Sequence, residues 1–151
     1  MNSFIFKTAD LRAKGGFKGS LKAGGDVFPG VFSSGKLLGI ESSFVISLGD
    51  ESLLLEGEIS ARAEFECSRC LARFETVIED SFEEIYENPQ EEINIKPAIE
   101  EALAMMEPSK PVCPQNCDES FIEKYRAADP KENKEGPFSD LKKVNFKKKE
   151  K

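Results

Sequence analysis

The sequence predicts an α+β fold in which an antiparallel β-meander packs with two or three short C-terminal helices. Two patterns carry this prediction. Apolar and polar side chains alternate along most of residues 43–87, which is typical of strands with one buried face and one wet face. A segment with apolar residues at helical spacing follows at residues 96–107. A chain of 151 residues is long enough for about one domain of this kind.

The N-terminal part carries weaker signals. Residues 4–6 (FIF) favour a short edge strand, and a glycine-rich region follows at about residues 15–39. Its eight glycines are irregularly spaced and match no phosphate-binding fingerprint. We therefore predict a loop region here, or short strands joined by turns. Three phenylalanines are expected to anchor it to the core: Phe17, Phe28 and Phe32.

The meander itself is predicted from three segments, residues 43–48, 53–67 and 73–87. In the second segment the odd-numbered residues from Leu53 to Cys67 are apolar or small, whereas most even-numbered ones are charged or polar. This period of two places the odd-numbered side chains on the buried face. The third segment repeats the pattern after the Cys67–Cys70 turn, so we expect that turn at the tip of a hairpin.

Helices are expected after the sheet. In residues 96–107, Pro97 lies near the first helical position, and Ile99, Leu103 and Met106 share one face. A second short helix is predicted at residues 118–128, where Ser120 and Glu123 fit a capping box.

These elements place a single domain at residues 1–128. Residues 129–151 are predicted to be a polar linker and a Lys-rich tail. The tail carries Phe138 and Leu141 at helical spacing, and we expect it to dock through these two side chains.

Composition excludes several classes of function. The chain has no histidine, which removes Ser-His-Asp and Cys-His catalysis and leaves cysteines or carboxylates for any zinc site. No apolar stretch is long enough to cross a bilayer, and the N-terminus lacks the pattern of a secretory signal. We expect a cytoplasmic protein that is not an enzyme and has neither a membrane partner nor a small-molecule substrate.

The charge of −7 is unevenly distributed. Residues 51–135 hold nine Lys or Arg against 22 Asp or Glu, whereas residues 136–151 hold six Lys against two acidic residues. Contact with a phosphate backbone would most plausibly use the basic ends, although Lys-rich ends also serve solubility alone.

The four cysteines occur in two close pairs. Cys67 and Cys70 form Cys-x2-Cys, Cys113 and Cys117 form Cys-x3-Cys, and 42 residues separate the pairs. This pattern suits one structural zinc ion held by four thiolates, with inert thiols as the competing interpretation. A redox pair is disfavoured because Cys67–Cys70 lies between two strands, and disulfides are disfavoured in a reducing cytosol.

The order of these features resembles the YceD-like family, the large ribosomal RNA subunit accumulation proteins. The resemblance covers about residues 43–151. It is carried by ECSRCLARFE, by the helical segment that runs through IEEALAMMEPSKPVC to CPQNC, and by the tail GPFSDLKKVNFKKK.

The resemblance implies a non-enzymatic factor needed for accumulation of 23S ribosomal RNA. Its partners would be ribosomal RNA or a large-subunit precursor particle, and basic ribosomal proteins. On the uneven charge distribution, five tail lysines are the candidate RNA contacts: Lys142, Lys143, Lys147, Lys148 and Lys149. Lys14, Lys18 and Lys22 are further candidates. The alternative function is a zinc-stabilised protein-interaction or regulatory module without RNA contact, and a thiol oxidoreductase ranks third.

Overall fold

A computed structural model describes residues 4–114 and Cys117. These residues fall within one compact unit, Met1–Cys117. Their helices and strands are, in chain order, β1 (Ile5–Lys7), α1 (Thr8–Lys14), β2 (Phe17–Gly24), β3 (Lys36–Leu48), β4 (Ser52–Glu66), β5 (Arg73–Glu87), β6 (Glu92–Asn94) and α2 (Lys96–Met106). The predicted α+β class is confirmed.

The main sheet is an antiparallel meander in the order β2-β3-β4-β5, and among the residues that the structure describes β2 and β5 are its edge strands. β4 pairs with β5 along its full length, from Ser52 opposite Glu87 to Glu66 opposite Arg73. The short strands β1 and β6 form a separate antiparallel pair. The predicted hairpin therefore exists, and its tip carries Cys67 and Cys70.

The alternation in β4 sorts its side chains as predicted. Its larger odd-numbered side chains are buried, namely Leu53, Leu55, Ile59 and Phe65, and so is Cys67 just after the strand. Burial of each large aliphatic or aromatic side chain stabilises the fold by roughly 1.5–3 kcal/mol.

The even-numbered residues of β4 lie on the opposite side of the meander, which we call the outer face. This face carries Lys18, Ser20 and Lys22 of β2, Glu41, Ser43 and Val45 of β3, Leu54, Glu56, Glu58, Ser60, Arg62 and Glu64 of β4, and Glu75, Val77, Glu79, Ser81, Glu83 and Ile85 of β5.

Helix α2 packs against β5. Ile99 and Leu103, one turn apart, are fully buried and form its inward side, as their spacing predicts. Pro97 lies in the first turn, where its missing N–H removes no intrahelical hydrogen bond. The helix ends at Met106, just before Pro108, so the chain leaves it close to the second cysteine pair.

Residues 15–39 contain strands joined by turns, which is the second of the two predicted arrangements. Phe17–Gly24 forms strand β2, which pairs with β3 over eight residues, and β3 begins at Lys36. Glycines hide this strand from the sequence pattern because they contribute no side chain to the alternation. Phe28 and Phe32 are buried and Phe17 packs at the edge of the core, as expected.

Helix α1 is not predicted by the sequence pattern. It has only seven residues, and no side-chain hydrogen bond caps its N-terminus. Its end is defined by Gly15 at φ 73°, where a residue without a Cβ closes the helix through hydrogen bonds to Arg12 and Leu11.

Neither described helix has the length and hydropathy needed to cross a bilayer. The predicted helix at 118–128, the end of the domain at 128 and the docking of Phe138 and Leu141 lie outside the described residues.

Candidate metal centre

The first cysteine pair sits on the β4–β5 hairpin tip. The Cys67 N–H donates to the Ala72 carbonyl at 2.8 Å, and the Leu71 N–H donates to the Cys67 carbonyl at 2.9 Å. Leu71 adopts a left-handed backbone conformation with φ 60°, which closes this tight turn. Cys67 continues the buried face of β4, so its sulfur points toward the interior and is fully buried.

The second pair reaches the tip through the loop that follows α2. The Ser68 N–H donates to the Pro111 carbonyl at 2.8 Å and ties the two segments together. The Cys113 N–H points at the Cys67 sulfur at 3.4 Å, and the Arg69 N–H does so at 3.5 Å. Backbone N–H groups thus surround Cys67 from both segments.

The four sulfur atoms converge on one point. They all lie within 4.8 Å of one another, with Cys67 and Cys117 at 3.6 Å and Cys70 and Cys113 at 3.8 Å. A ZnS4 tetrahedron with Zn–S bonds of about 2.3 Å has sulfur–sulfur edges of about 3.8 Å. No disulfide is present, since all four thiols are free. The structure therefore brings the predicted cysteines together in a cluster able to hold a metal ion such as zinc.

The thiols of this cluster differ in acidity. Backbone N–H groups of Cys70 and Cys113 lower the pKa of the Cys67 thiol to about 6. Burial raises the pKa of Cys113 and of Cys117, and neighbouring thiols add to the effect. Because a metal binds the thiolate, the lowered pKa of Cys67 favours metal binding at this side chain.

A carboxylate clamp holds the end of α2 in place. Glu107 Oε1 accepts hydrogen bonds from the N–H and hydroxyl of Ser34 at 2.7 and 2.8 Å. Its Oε2 accepts from the N–H and hydroxyl of Ser33 at 3.0 and 2.9 Å. Glu107 lies six residues before Cys113, so this clamp fixes the start of the loop that carries the second pair. Sequence reasoning missed it, because nothing distinguishes Glu107 from the other acidic residues.

The clamp predicts a pH-dependent contribution to stability. Burial opposes ionisation of Glu107, but the hydrogen bonds from Ser33 and Ser34 outweigh it and lower its pKa to about 2 from 4.5. A lowered folded-state pKa stabilises the fold above pH 4.5, and this contribution is lost as the pH falls toward 2. We expect Glu107→Gln to cost about 1 kcal/mol at pH 7, since solvent screens this partly exposed group.

This effect is measured by urea unfolding of wild type and variant between pH 2.5 and 7. A chelator is present to remove the pH dependence of metal binding. The difference in unfolding free energy between the two proteins should shrink as the pH falls. Glu101→Gln, on the exposed side of the same helix, is the control. A difference that stays constant over this range would contradict the assignment.

The five candidate RNA-binding lysines, Lys142, Lys143, Lys147, Lys148 and Lys149, lie outside the described residues. The residues that the structure describes include 11 Lys or Arg and 20 Asp or Glu. This part of the molecule is thus strongly acidic, with a net charge of −9.

Comparisons with protein-family models, curated proteins and solved structures find no match to this chain.

Proposed function

We propose that the protein is a non-enzymatic, cytoplasmic binding module whose fold is stabilised by one structural zinc ion. The observation that supports this proposal is the convergence of four thiol sulfurs at distances close to the edges of a ZnS4 tetrahedron. Cys67, Cys70, Cys113 and Cys117 would hold the ion. Four thiolates fill the shell, so zinc would cross-link the hairpin tip to the loop after α2 and leave no position for a substrate.

Thiolate chemistry favours zinc over the hard cations. Magnesium and calcium prefer oxygen ligands, whereas zinc binds four sulfurs readily. Several backbone N–H groups point at Cys67, and such donors reduce the negative charge that four thiolates place on one ion.

A redox function has weaker support. The lowered pKa of Cys67 meets one condition for a reactive thiol. However, Cys67 is fully buried, so a protein disulfide could not reach its sulfur without opening the hairpin tip. The same lowered pKa serves metal binding, which needs no such access.

For the biological role, we propose support of 23S ribosomal RNA accumulation during large-subunit assembly, through binding to ribosomal RNA or a precursor particle. The family resemblance over residues 43–151 and the lysines of the tail support this role. The second candidate is a protein-interaction or regulatory module without RNA contact. It is favoured by the charge of −9 on the described residues, which would repel phosphate.

Salt-dependent binding separates the two candidates. We expect the full chain to co-sediment with large-subunit precursors and to be released by ribonuclease. Replacing Lys142, Lys143, Lys147, Lys148 and Lys149 by glutamine should flatten the slope of log affinity against log salt by up to about 4, because each lost phosphate contact removes roughly 0.7–0.9.

The control carries Lys7→Gln, Lys36→Gln and Lys110→Gln, which lie in the described part of the chain. An unchanged slope in the tail variant, or co-sedimentation that resists ribonuclease, would favour the protein-interaction module.

A further inference from the structure

The outer face of the meander is hollowed into a trough. A cavity of about 840 Å³ crosses all four strands. Hydroxyls of Ser20, Ser43 and Ser81 and carboxylates of Glu41, Glu58 and Glu79 line it. Three strand spacings give the trough a width of roughly 14 Å, enough for one α-helix or one extended segment.

The carboxylates of the trough are only partly neutralised. Lys22 forms an ion pair with Glu41 across the strands. Within the described part of the chain, the only other ion pairs join Arg73 to Glu64 and Lys96 to Glu100, so no cation pairs with Glu58 or Glu79.

Beside the trough, two glutamates face each other with no cation between them. Glu56 of β4 is directly opposite Glu83 of β5, and neither belongs to an ion pair among the residues that the structure describes. Like charges at directly opposed positions destabilise a sheet. A sheet face that keeps such a pair would gain stability from a bound cation, which is an observation independent of the overall acidity.

Apolar side chains lie on the same face at both ends of the trough. Ile85 is 55% exposed and Val45 38% exposed at one end, and Val77 is 56% exposed at the other. Leu54 is paired with Ile85 in the register. A ligand that filled this face would therefore carry aliphatic groups as well as positive charge, which a peptide provides and a free metal ion does not.

Other occupants fit less well. Among the described residues only the four thiols converge closely enough to hold a metal ion, so the glutamates do not form a divalent-cation site. RNA would place phosphates against unpaired carboxylates and raise the electrostatic cost. A second copy would place the same acidic face against itself.

We propose that this trough binds a helical segment of a basic protein in which lysines or arginines and aliphatic side chains share one face. The cations would pair with Glu56, Glu58, Glu79 and Glu83, and the aliphatic groups would cover Val45, Val77 and Ile85. This inference rests on the proposed function, because it names the class of partner that the binding module would take. Binding at the trough requires neither zinc nor RNA.

A synthetic, labelled helical peptide of about 16 residues, which spans roughly 24 Å, is the probe. It carries Lys and Arg on one side and Leu between them. Binding is measured with the full chain loaded with zinc. We expect Glu56→Gln with Glu83→Gln to weaken peptide binding by about tenfold relative to wild type and to reduce its salt dependence. The same variant should melt at a higher temperature than wild type, because the opposed charges are gone.

The matched control removes the same charge elsewhere, through Glu91→Gln with Glu101→Gln, both exposed and off the outer face. It should bind the peptide as wild type does. Equal affinity of the Glu56→Gln, Glu83→Gln variant and the control variant would overturn the proposal. So would an RNA hairpin that binds the trough more tightly than the peptide, or a dimer that the trough substitutions dissociate.

Two further measurements on the same samples distinguish this failure from failure of the proposed function. Zinc content reports on the metal centre, and co-sedimentation with large-subunit precursors reports on the biological role. The Glu56→Gln, Glu83→Gln variant could keep its zinc and its co-sedimentation and still bind the peptide as wild type does. That result would reject peptide binding at the trough and leave the proposed function standing.

Discussion

Replacing Cys67 and Cys70 together by serine is expected to abolish zinc binding and to lower the melting temperature of the zinc-loaded protein by about 15 °C. A ligand present at a thousand times its dissociation constant stabilises the folded state by about 4 kcal/mol, and 1 kcal/mol corresponds to roughly 4 °C in a domain of this size. The effect is large because, among the residues that the structure describes, the backbone N–H groups that join the hairpin tip to the loop after α2 are those of Ser68, which donates to the Pro111 carbonyl, and Cys113, which points at the Cys67 sulfur.

Metal analysis by mass spectrometry and calorimetric melting of wild type and variant test this expectation. About one zinc per chain in the wild type and none in the variant is the expected result. Wild type treated with a chelator should melt at the temperature of the variant, because both then lack the same cross-link. Equal melting temperatures for the untreated wild type and the variant, with no metal in either, would leave the cysteines as inert buried thiols.

The second large effect is expected for Phe65→Ala, which should cost about 3–5 kcal/mol. Phe65 is almost fully buried and packs between the rings of Phe32, at 5.6 Å, and Phe74, at 6.4 Å. It also lies two residues before Cys67 on the same face of β4. Loss of this ring should loosen the end of the strand that positions the cysteine, so zinc affinity should fall together with stability.

Urea unfolding and a zinc competition assay measure both consequences. Phe65→Leu keeps most of the apolar volume and should cost only about 1–2 kcal/mol, which provides a folded variant if alanine prevents folding. Val77→Ala changes an exposed residue on the outer face of the same sheet and should stay within about 0.5 kcal/mol of wild type. A cost below about 1 kcal/mol for Phe65→Ala would contradict the packing described for this ring.

The predictable part of the fold is the part with a strong repeating pattern. The alternation from Leu53 to Cys67 predicts β4 and its buried face, and the spacing of Ile99 and Leu103 predicts α2. Helix α1 was missed because it is short and has no side-chain cap. Strand β2 was predicted only as one of several short strands without bounds, because glycines interrupt its alternation.

The candidate metal centre and its surroundings likewise have a part that the sequence predicts and a part that it does not. Cysteine spacing predicts two pairs that each converge from one turn, since residues three or four apart in a turn are close by covalent geometry. The Glu107 clamp depends on Ser33, which is 74 residues away, and no local pattern reports such a partner. The opposed pair of Glu56 and Glu83 needs the exact strand register, which the structure supplies and alternation alone does not.

The edge position of β5 has a consequence for aggregation. A strand at the edge of a sheet presents unpaired backbone groups that a second chain can pair with. On its outer side β5 carries Glu75, Glu79 and Glu83 at intervals of four residues, followed by Glu87. Two such edges brought together would stack these carboxylates into one repulsive column. The glutamates would therefore oppose edge-to-edge pairing between two copies, which uncharged edges of this length tend to form.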